Sequence, residues 1–154
     1  MSDIPERSAV IAGLRDTFTG VARFEVRPVD LEDARRRYAE EGFDFSPRLR
    51  EFLEIYGEIT VNWEWRERRQ EFTTSVERTL DAPHGTPRNM NIYAKRIGRP
   101  VLPVGMVFST EECVLLADND DILFAGDAGI QRVANGFEDA VRALVTADWD
   151  KTFF

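Results

Sequence analysis

The chain has 154 residues, of which 43% are hydrophobic and 31% charged, and its formal net charge is −8 at pH 7. This balance predicts one soluble folded domain over residues 1–154 and excludes an intrinsically disordered chain. The negative charge disfavours nucleic-acid binding and favours a basic protein partner, although solubility alone would also explain it. The single cysteine, Cys113, excludes an intrachain disulfide and a cysteine-based zinc cluster.

The amino-terminal segment does not resemble an export signal. Residues 1–10 carry acids and a proline where a signal peptide has a basic patch and an apolar core. The densest apolar run, residues 101–108, is interrupted by Pro103 and Gly105 and is far shorter than the ~20 residues that cross a bilayer. We therefore expect a cytoplasmic protein that does not span a membrane.

Three helices are predicted in the first part of the chain. The first ends near Gly20, and the second follows Asp30, a residue type that favours the N-cap position. Ser46 followed by Pro47 predicts the start of the third helix, with Gly57 as its C′ residue. The apolar stripes of the three helices recur at intervals of three and four residues: Ile11, Leu14, Phe18, Leu31, Ala34, Tyr38, Leu49, Phe52, Leu53 and Tyr56.

The pattern then changes from helical to alternating, which predicts strands. Residues 59–66 alternate between apolar and polar side chains, so that Trp63 and Trp65 share one face while Glu64 points to the other. A polar turn is predicted at residues 67–70. A second strand is expected to follow, carrying Phe72, Thr74 and Val76.

The second half of the chain predicts a loop at residues 81–87, a short helix over 91–97 that stops at Gly98, and then a run of strands. The strands are expected at residues 101–108, 113–117, 122–125 and 130–133, with a hairpin turn at 118–121. Asn135 and Glu138 have capping-box spacing before a final helix. This order predicts a single α+β domain: a mostly antiparallel or mixed sheet, amino-terminal helices and one carboxy-terminal helix.

Few residues suggest catalysis. His84 and Cys113 are conceivable as a base and a nucleophile, but Glu111 and Glu112 directly precede the cysteine and would raise its pKa. The segment 118–121 begins like a calcium loop, yet the next two positions lack the required oxygen ligand and glycine. We therefore expect no catalytic residues, no metal, no cofactor and no enzyme activity.

Candidate partner-binding residues come from two segments. Trp63 and Trp65 are either core residues or, if they project past the core at the strand end near three arginines, an interface anchor. A hairpin tip is exposed, and acidic residues suit a basic partner. The predicted contact residues are Trp63, Glu64, Trp65, Asp118, Asp120 and Asp121.

An ordered series of short motifs resembles the SUKH superfamily, and most closely its third subfamily. In chain order the motifs are Phe52, Leu53, Tyr56 and Gly57 before a strand; Gly98, Leu102, Pro103, Val104 and Gly105; and Gly136, Phe137, Glu138, Ala140 and Leu144 at the last helix. The chain departs from the family pattern at two turn positions, where Glu58 and Asp121 stand in place of glycine.

The resemblance implies a SUKH-like fold and a function in binding. Members of the superfamily are immunity proteins that neutralise bacterial polymorphic toxins, often nucleases or deaminases, and they share no catalytic residues that could be transferred to this chain. We therefore expect a cytoplasmic immunity protein with a cognate toxin domain as partner. A SUKH-type adaptor or regulatory module without a toxin partner remains the alternative.

Overall fold

The computed structural model describes residues 6–107 and 110–154. The helices within this part are α1 (Arg7–Thr17), α2 (Leu31–Glu40), α3 (Pro47–Tyr56), α4 (Val76–Asp81), α5 (Pro87–Ile97) and α6 (Phe137–Thr146). The strands are β1 (Ala22–Val26), β2 (Ile59–Trp65), β3 (Arg68–Thr73), β4 (Val101–Val107), β5 (Glu112–Ala117), β6 (Asp121–Gly126) and β7 (Gly129–Asn135). Phe108, the last residue of one predicted strand, lies outside the described residues.

The strands form one antiparallel sheet in sequence order, from β1 at one edge to β7 at the other. The carboxy-terminal segment covers the β7 edge, where the Phe154 N–H donates to the Ile130 carbonyl at 2.8 Å. This arrangement confirms the predicted α+β class and shows that the sheet is fully antiparallel. Across the two described ranges, no helix is both long and apolar enough to cross a membrane.

The two faces of the sheet differ in character at β1, β2 and β3. The rings of Phe72 and Phe137 have centroids 5.7 Å apart, which places α6 on the face that also carries Phe24 and Val61, the register partners in β1 and β2. Adjacent residues in a strand point to opposite faces. The other face of β1, β2 and β3 is therefore polar and carries Arg23, Glu25, Thr60, Asn62, Glu64, Arg69 and Glu71.

The structure confirms the three predicted amino-terminal helices and two of their caps. The Asp30 side chain accepts from the Asp33 N–H at 3.0 Å, and the Ser46 hydroxyl accepts from the Leu49 N–H at 3.2 Å. Gly57 differs from the prediction, because its φ of −68° is not left-handed. The left-handed residue is Glu58, with a φ of 55°.

Gly57 is needed for close approach rather than for its φ. A Cβ at this position would lie 2.5 Å from the Leu53 carbonyl oxygen. The β5–β6 turn also differs by one position from the expectation. The positive φ of 72° falls at Asp120, whereas Asp121, which stands in place of the family's glycine, is the first residue of β6.

Three further predictions about elements were wrong. Val76 does not continue a strand but begins α4, because the Ser75 hydroxyl accepts from the Arg78 N–H and starts a helix. The turn after β2 is shorter than predicted, and β3 already begins at Arg68. Asn135 ends β7 instead of capping α6, and the N-cap position is taken by Gly136.

Candidate functional site

Cys113 and His84 do not form a nucleophile–base pair. Cys113 is fully buried, and burial raises its pKa to about 12. The predicted direction was correct, but the cause is desolvation rather than the neighbouring glutamates. His84 Nε2 instead lies 3.7 Å from Asp127 Oδ1. Within residues 6–107 and 110–154, no group of three or more His, Cys, Asp or Glu side chains is placed to hold a metal.

The three aspartates of the β5–β6 turn are each paired with an arginine of the same chain. The N–O distances are 2.8 Å for Arg99–Asp118, 2.6 Å for Arg48–Asp120 and 3.1 Å for Arg132–Asp121. Partial burial of the Asp121 carboxyl opposes ionisation, but hydrogen bonds from Arg132, Asn135 and Asn119 outweigh this effect and lower its pKa. The turn therefore carries much less uncompensated negative charge than its sequence suggests.

The two predicted contact segments lie at opposite ends of the sheet. Successive strands alternate in direction, so β2 ends at one end of the sheet and β5 ends at the other. Trp65 is the last residue of β2, and Asp118 directly follows β5. Because β2 has seven residues, the two ends are separated by on the order of 20 Å along the strands. A single small contact cannot include both segments.

The two tryptophans have different environments. Trp63 is 7% exposed and belongs to the core, whereas Trp65 is 39% exposed. The guanidinium of Arg66 lies 4.4 Å from the centre of the Trp65 ring, which is a cation–π contact. Trp63 is thus a core residue, and the interface-anchor interpretation stays a prediction that now concerns Trp65.

A groove of about 650 Å³ opens on the polar face beside the same hairpin. We call it the β1–β3 groove; it is lined by Gly20, Val21, Arg23, Asn62, Trp63, Glu64 and Arg69. Arg23 and Arg69 are exposed and form no ion pair within the described part of the chain. Val21 and Arg23 were missed by the sequence analysis because β1 was not predicted. Asn62 lies on a predicted strand, but its position beside Arg23 depends on β1.

A second groove, of about 760 Å³, lies between α3 and the start of α6. Its aromatic wall is formed by motif residues: the Tyr56 ring stacks on Phe137 with centroids 4.8 Å apart, and Phe52 lies 5.3 Å from Tyr56. The Tyr56 hydroxyl donates to Glu138 Oε1 at 3.4 Å. Burial, together with the nearby Glu138 carboxylate, raises the pKa of Tyr56 to about 12. The motif residues thus shape a surface as well as the core.

Comparison with known proteins gives a match to a family model. No curated protein and no solved structure matches the chain. The family model of the SUKH-3 immunity protein matches residues 24–147, which is more than half of the chain. The match runs from within β1 to the end of α6 and includes the groove between α3 and α6, but it begins after Gly20, Val21 and Arg23 of the β1–β3 groove. The chain therefore belongs to the SUKH-3 immunity protein family.

Proposed function

We propose that this protein protects a bacterial cell by binding the toxic domain of a cognate polymorphic toxin in the cytoplasm. The observation that carries the proposal is the match to the SUKH-3 immunity family over residues 24–147. Immunity of this kind requires a surface complementary to the toxin, and the candidate surfaces are the β2–β3 hairpin end with the β1–β3 groove and the groove between α3 and α6.

Neutralisation is by stoichiometric binding and not by catalysis. The one thiol is buried with a raised pKa, so it is a poor nucleophile. By contrast, Trp65 and Arg66, whose guanidinium stacks on the Trp65 ring, belong to the residue types that dominate binding energy at protein interfaces. Of the predicted contact residues, we assign Trp65 the strongest role, because it is exposed and the turn aspartates are already paired within the chain.

The toxin domain is of the nuclease or deaminase type and is basic. A domain that acts on nucleic acid needs a positively charged surface to hold the phosphate backbone. The net charge of −8 on this chain complements such a surface and would accelerate encounter with it.

Co-expression with the toxin domain encoded beside this gene tests the proposal. We expect restored growth and a complex that survives size-exclusion chromatography. Nuclease and deaminase activities are separated by assaying the purified toxin for strand cleavage and for base conversion. Inhibition should be complete at one molar equivalent of this protein, whereas inhibition at far lower ratios would indicate catalysis. If the protein neither protects the cells nor forms a complex with the toxin domain, the immunity proposal fails and the adaptor function becomes the alternative.

A further inference from the structure

We propose that the β1–β3 groove binds a carboxylate side chain, aspartate or glutamate, on the surface of the toxin. The inference rests on the proposed immunity function and names one contact of that interface. Arg23 and Arg69 would hold the carboxylate from two sides of the groove, and Asn62 forms part of the floor beneath it.

The strand register places the two arginines around the centre of the groove. Arg23 is the cross-strand partner of Asn62, and Arg69 is the partner of Glu64 two residues further along β2. Both guanidiniums leave the same sheet face from strands on either side of β2. Although Arg69 stands opposite Glu64, these side chains form no ion pair, and the part of the chain that the structure describes supplies none for Arg23. Two guanidiniums thus remain available to a ligand.

The charge of the groove fits one incoming carboxylate. Its lining contains two arginines and one glutamate, so it has one positive charge in excess. A single partner carboxylate makes the groove neutral, and arginine binds a carboxylate with geometry that lysine does not match.

Asn62 gives an independent indication that a polar ligand is missing. Its side chain is 6% exposed, and Oδ1 is buried without a hydrogen-bond donor among the described residues. Buried polar atoms are nearly always paired, and an unpaired one destabilises the isolated protein. An acidic residue of a partner brings both groups that the groove lacks: a carboxylate for the arginines, and a backbone N–H for the Asn62 amide after a side-chain rotation.

A contact in which this protein supplies the positive charge and the toxin the negative charge would give specificity that the net charge cannot give. A protein with a charge of −8 attracts any basic surface. A groove with a positive excess instead rejects a lysine or arginine at that position and accepts only a partner with a correctly placed acid. Discrimination between partners commonly depends on such a repulsive element.

Affinity measurements on matched variants test the proposal, with the purified toxin domain as the probe. Arg23→Gln and Arg69→Gln should each raise Kd by about tenfold or more. Arg88→Gln is the control, because Arg88 is exposed on α5 and does not line the β1–β3 groove. All three variants make the chain more acidic, which would strengthen long-range attraction to a basic toxin. Weaker binding confined to Arg23 and Arg69 therefore requires a direct contact.

Glu64→Gln provides a test of opposite sign. It removes a negative charge that repels an incoming carboxylate, so Kd should fall, while Glu54→Gln on α3 should leave Kd unchanged. The side-chain amide resonances of Asn62 should also shift on complex formation, since this amide lies in the groove floor.

A stable toxin complex with wild-type affinity in both arginine variants would overturn the inference but not the immunity function. Equal weakening in Arg88→Gln, or weaker binding in Glu64→Gln, would also overturn it. If no toxin complex forms with the wild-type protein, the proposed function itself fails.

Discussion

Arg48 Nη1 lies 2.6 Å from Asp120 Oδ1, an ion pair that joins the first turn of α3 to the β5–β6 turn across 72 positions of sequence. Asp120 has a φ of 72°, so both its backbone conformation and its ion pair contribute to the structure of this turn. Asp121 is held differently, since it is largely hidden and accepts hydrogen bonds from Asn119, Arg132 and Asn135. The two adjacent aspartates should therefore respond differently to loss of charge.

Replacing Asp120 by asparagine should cost less than about 1 kcal/mol of unfolding free energy. The pair with Arg48 is about half exposed on both sides, and exposed pairs contribute little. Asparagine also tolerates a positive φ. Asp121→Asn should cost about 2 kcal/mol, because its new amide N–H groups face donors instead of acceptors. Urea unfolding of the two variants measures the difference in unfolding free energy. Equal losses of stability would contradict the different roles given to Asp120 and Asp121.

The Asp121 carboxylate should make stability depend on pH in acid. Its pKa in the folded protein is lowered by hydrogen bonds that outweigh partial burial. A lowered folded pKa means that the stabilisation is present above the unfolded pKa, near 3.9, and is lost as the pH falls through the folded value. The stability gap between wild type and Asp121→Asn should therefore narrow below about pH 4. If the difference in unfolding free energy between wild type and Asp121→Asn stays constant from pH 7 to pH 3, Asp121 does not cause the pH dependence of stability.

The Cys113 thiol should be inert in the folded protein. Burial raises its pKa to about 12, so almost no thiolate exists at pH 8, and the sulfur is not accessible to reagents. A colourimetric disulfide reagent should react with Cys113 only after denaturation in urea. Rapid reaction of the native protein would show that Cys113 is exposed by local opening.

Gly57 and Gly13 should respond to alanine with opposite signs. A Cβ at Gly57 would meet the Leu53 carbonyl oxygen at 2.5 Å, so Gly57→Ala forces the end of α3 to move and should cost about 3 kcal/mol. Gly13 lies within α1 with open space around its Cβ position, and Gly13→Ala should stabilise by roughly 0.5–1 kcal/mol. Thermal unfolding of both variants tests this, and destabilisation by Gly13→Ala would contradict the helix assignment.

The fold was predictable from sequence wherever an element is long and strongly patterned. The stripe of α3 and the caps at Asp30 and Ser46 identified their helices correctly. The five-residue strand β1 was missed because only Phe24 within it is buried. The six-residue helix α4 was not predicted, and its first residue, Val76, was assigned to a strand because Thr74 and Val76 continue the alternation of β3.

The candidate sites were less predictable because they depend on pairs distant in sequence. The turn Asp118–Asp121 is acidic in sequence, but Arg48 and Arg99, which neutralise it, are 72 and 19 positions from their partners. The β1–β3 groove requires Arg23 to lie beside Asn62, and this depends on a strand that the pattern did not reveal. Local composition therefore indicated an acidic contact at an end of the sheet where the charge is largely compensated.

Trp63 and Trp65 offer a matched pair that separates folding from recognition. They are the same residue type on the same strand and the same face, but Trp63 is 7% exposed and Trp65 is 39% exposed. Trp63→Ala should cost about 3 kcal/mol or more of stability, because it leaves a large cavity in the core. Trp65→Ala should leave the melting temperature nearly unchanged and raise the Kd for the toxin domain by about tenfold, since exposed tryptophans stacked on arginine are typical binding anchors.

Calorimetry for stability and titration with the purified toxin for Kd give both quantities on the same samples. Arg66→Ala is the companion variant, because it removes the guanidinium 4.4 Å above the Trp65 ring and should weaken binding without unfolding the hairpin. If Trp65→Ala binds the toxin as tightly as wild type, the hairpin tip is not a contact. The toxin would then have to contact another face of the protein. The groove between α3 and α6, whose wall is formed by Phe52, Tyr56 and Phe137, is the next candidate. Tyr56→Phe and Glu138→Gln would test it, because each removes the hydrogen bond between these two side chains.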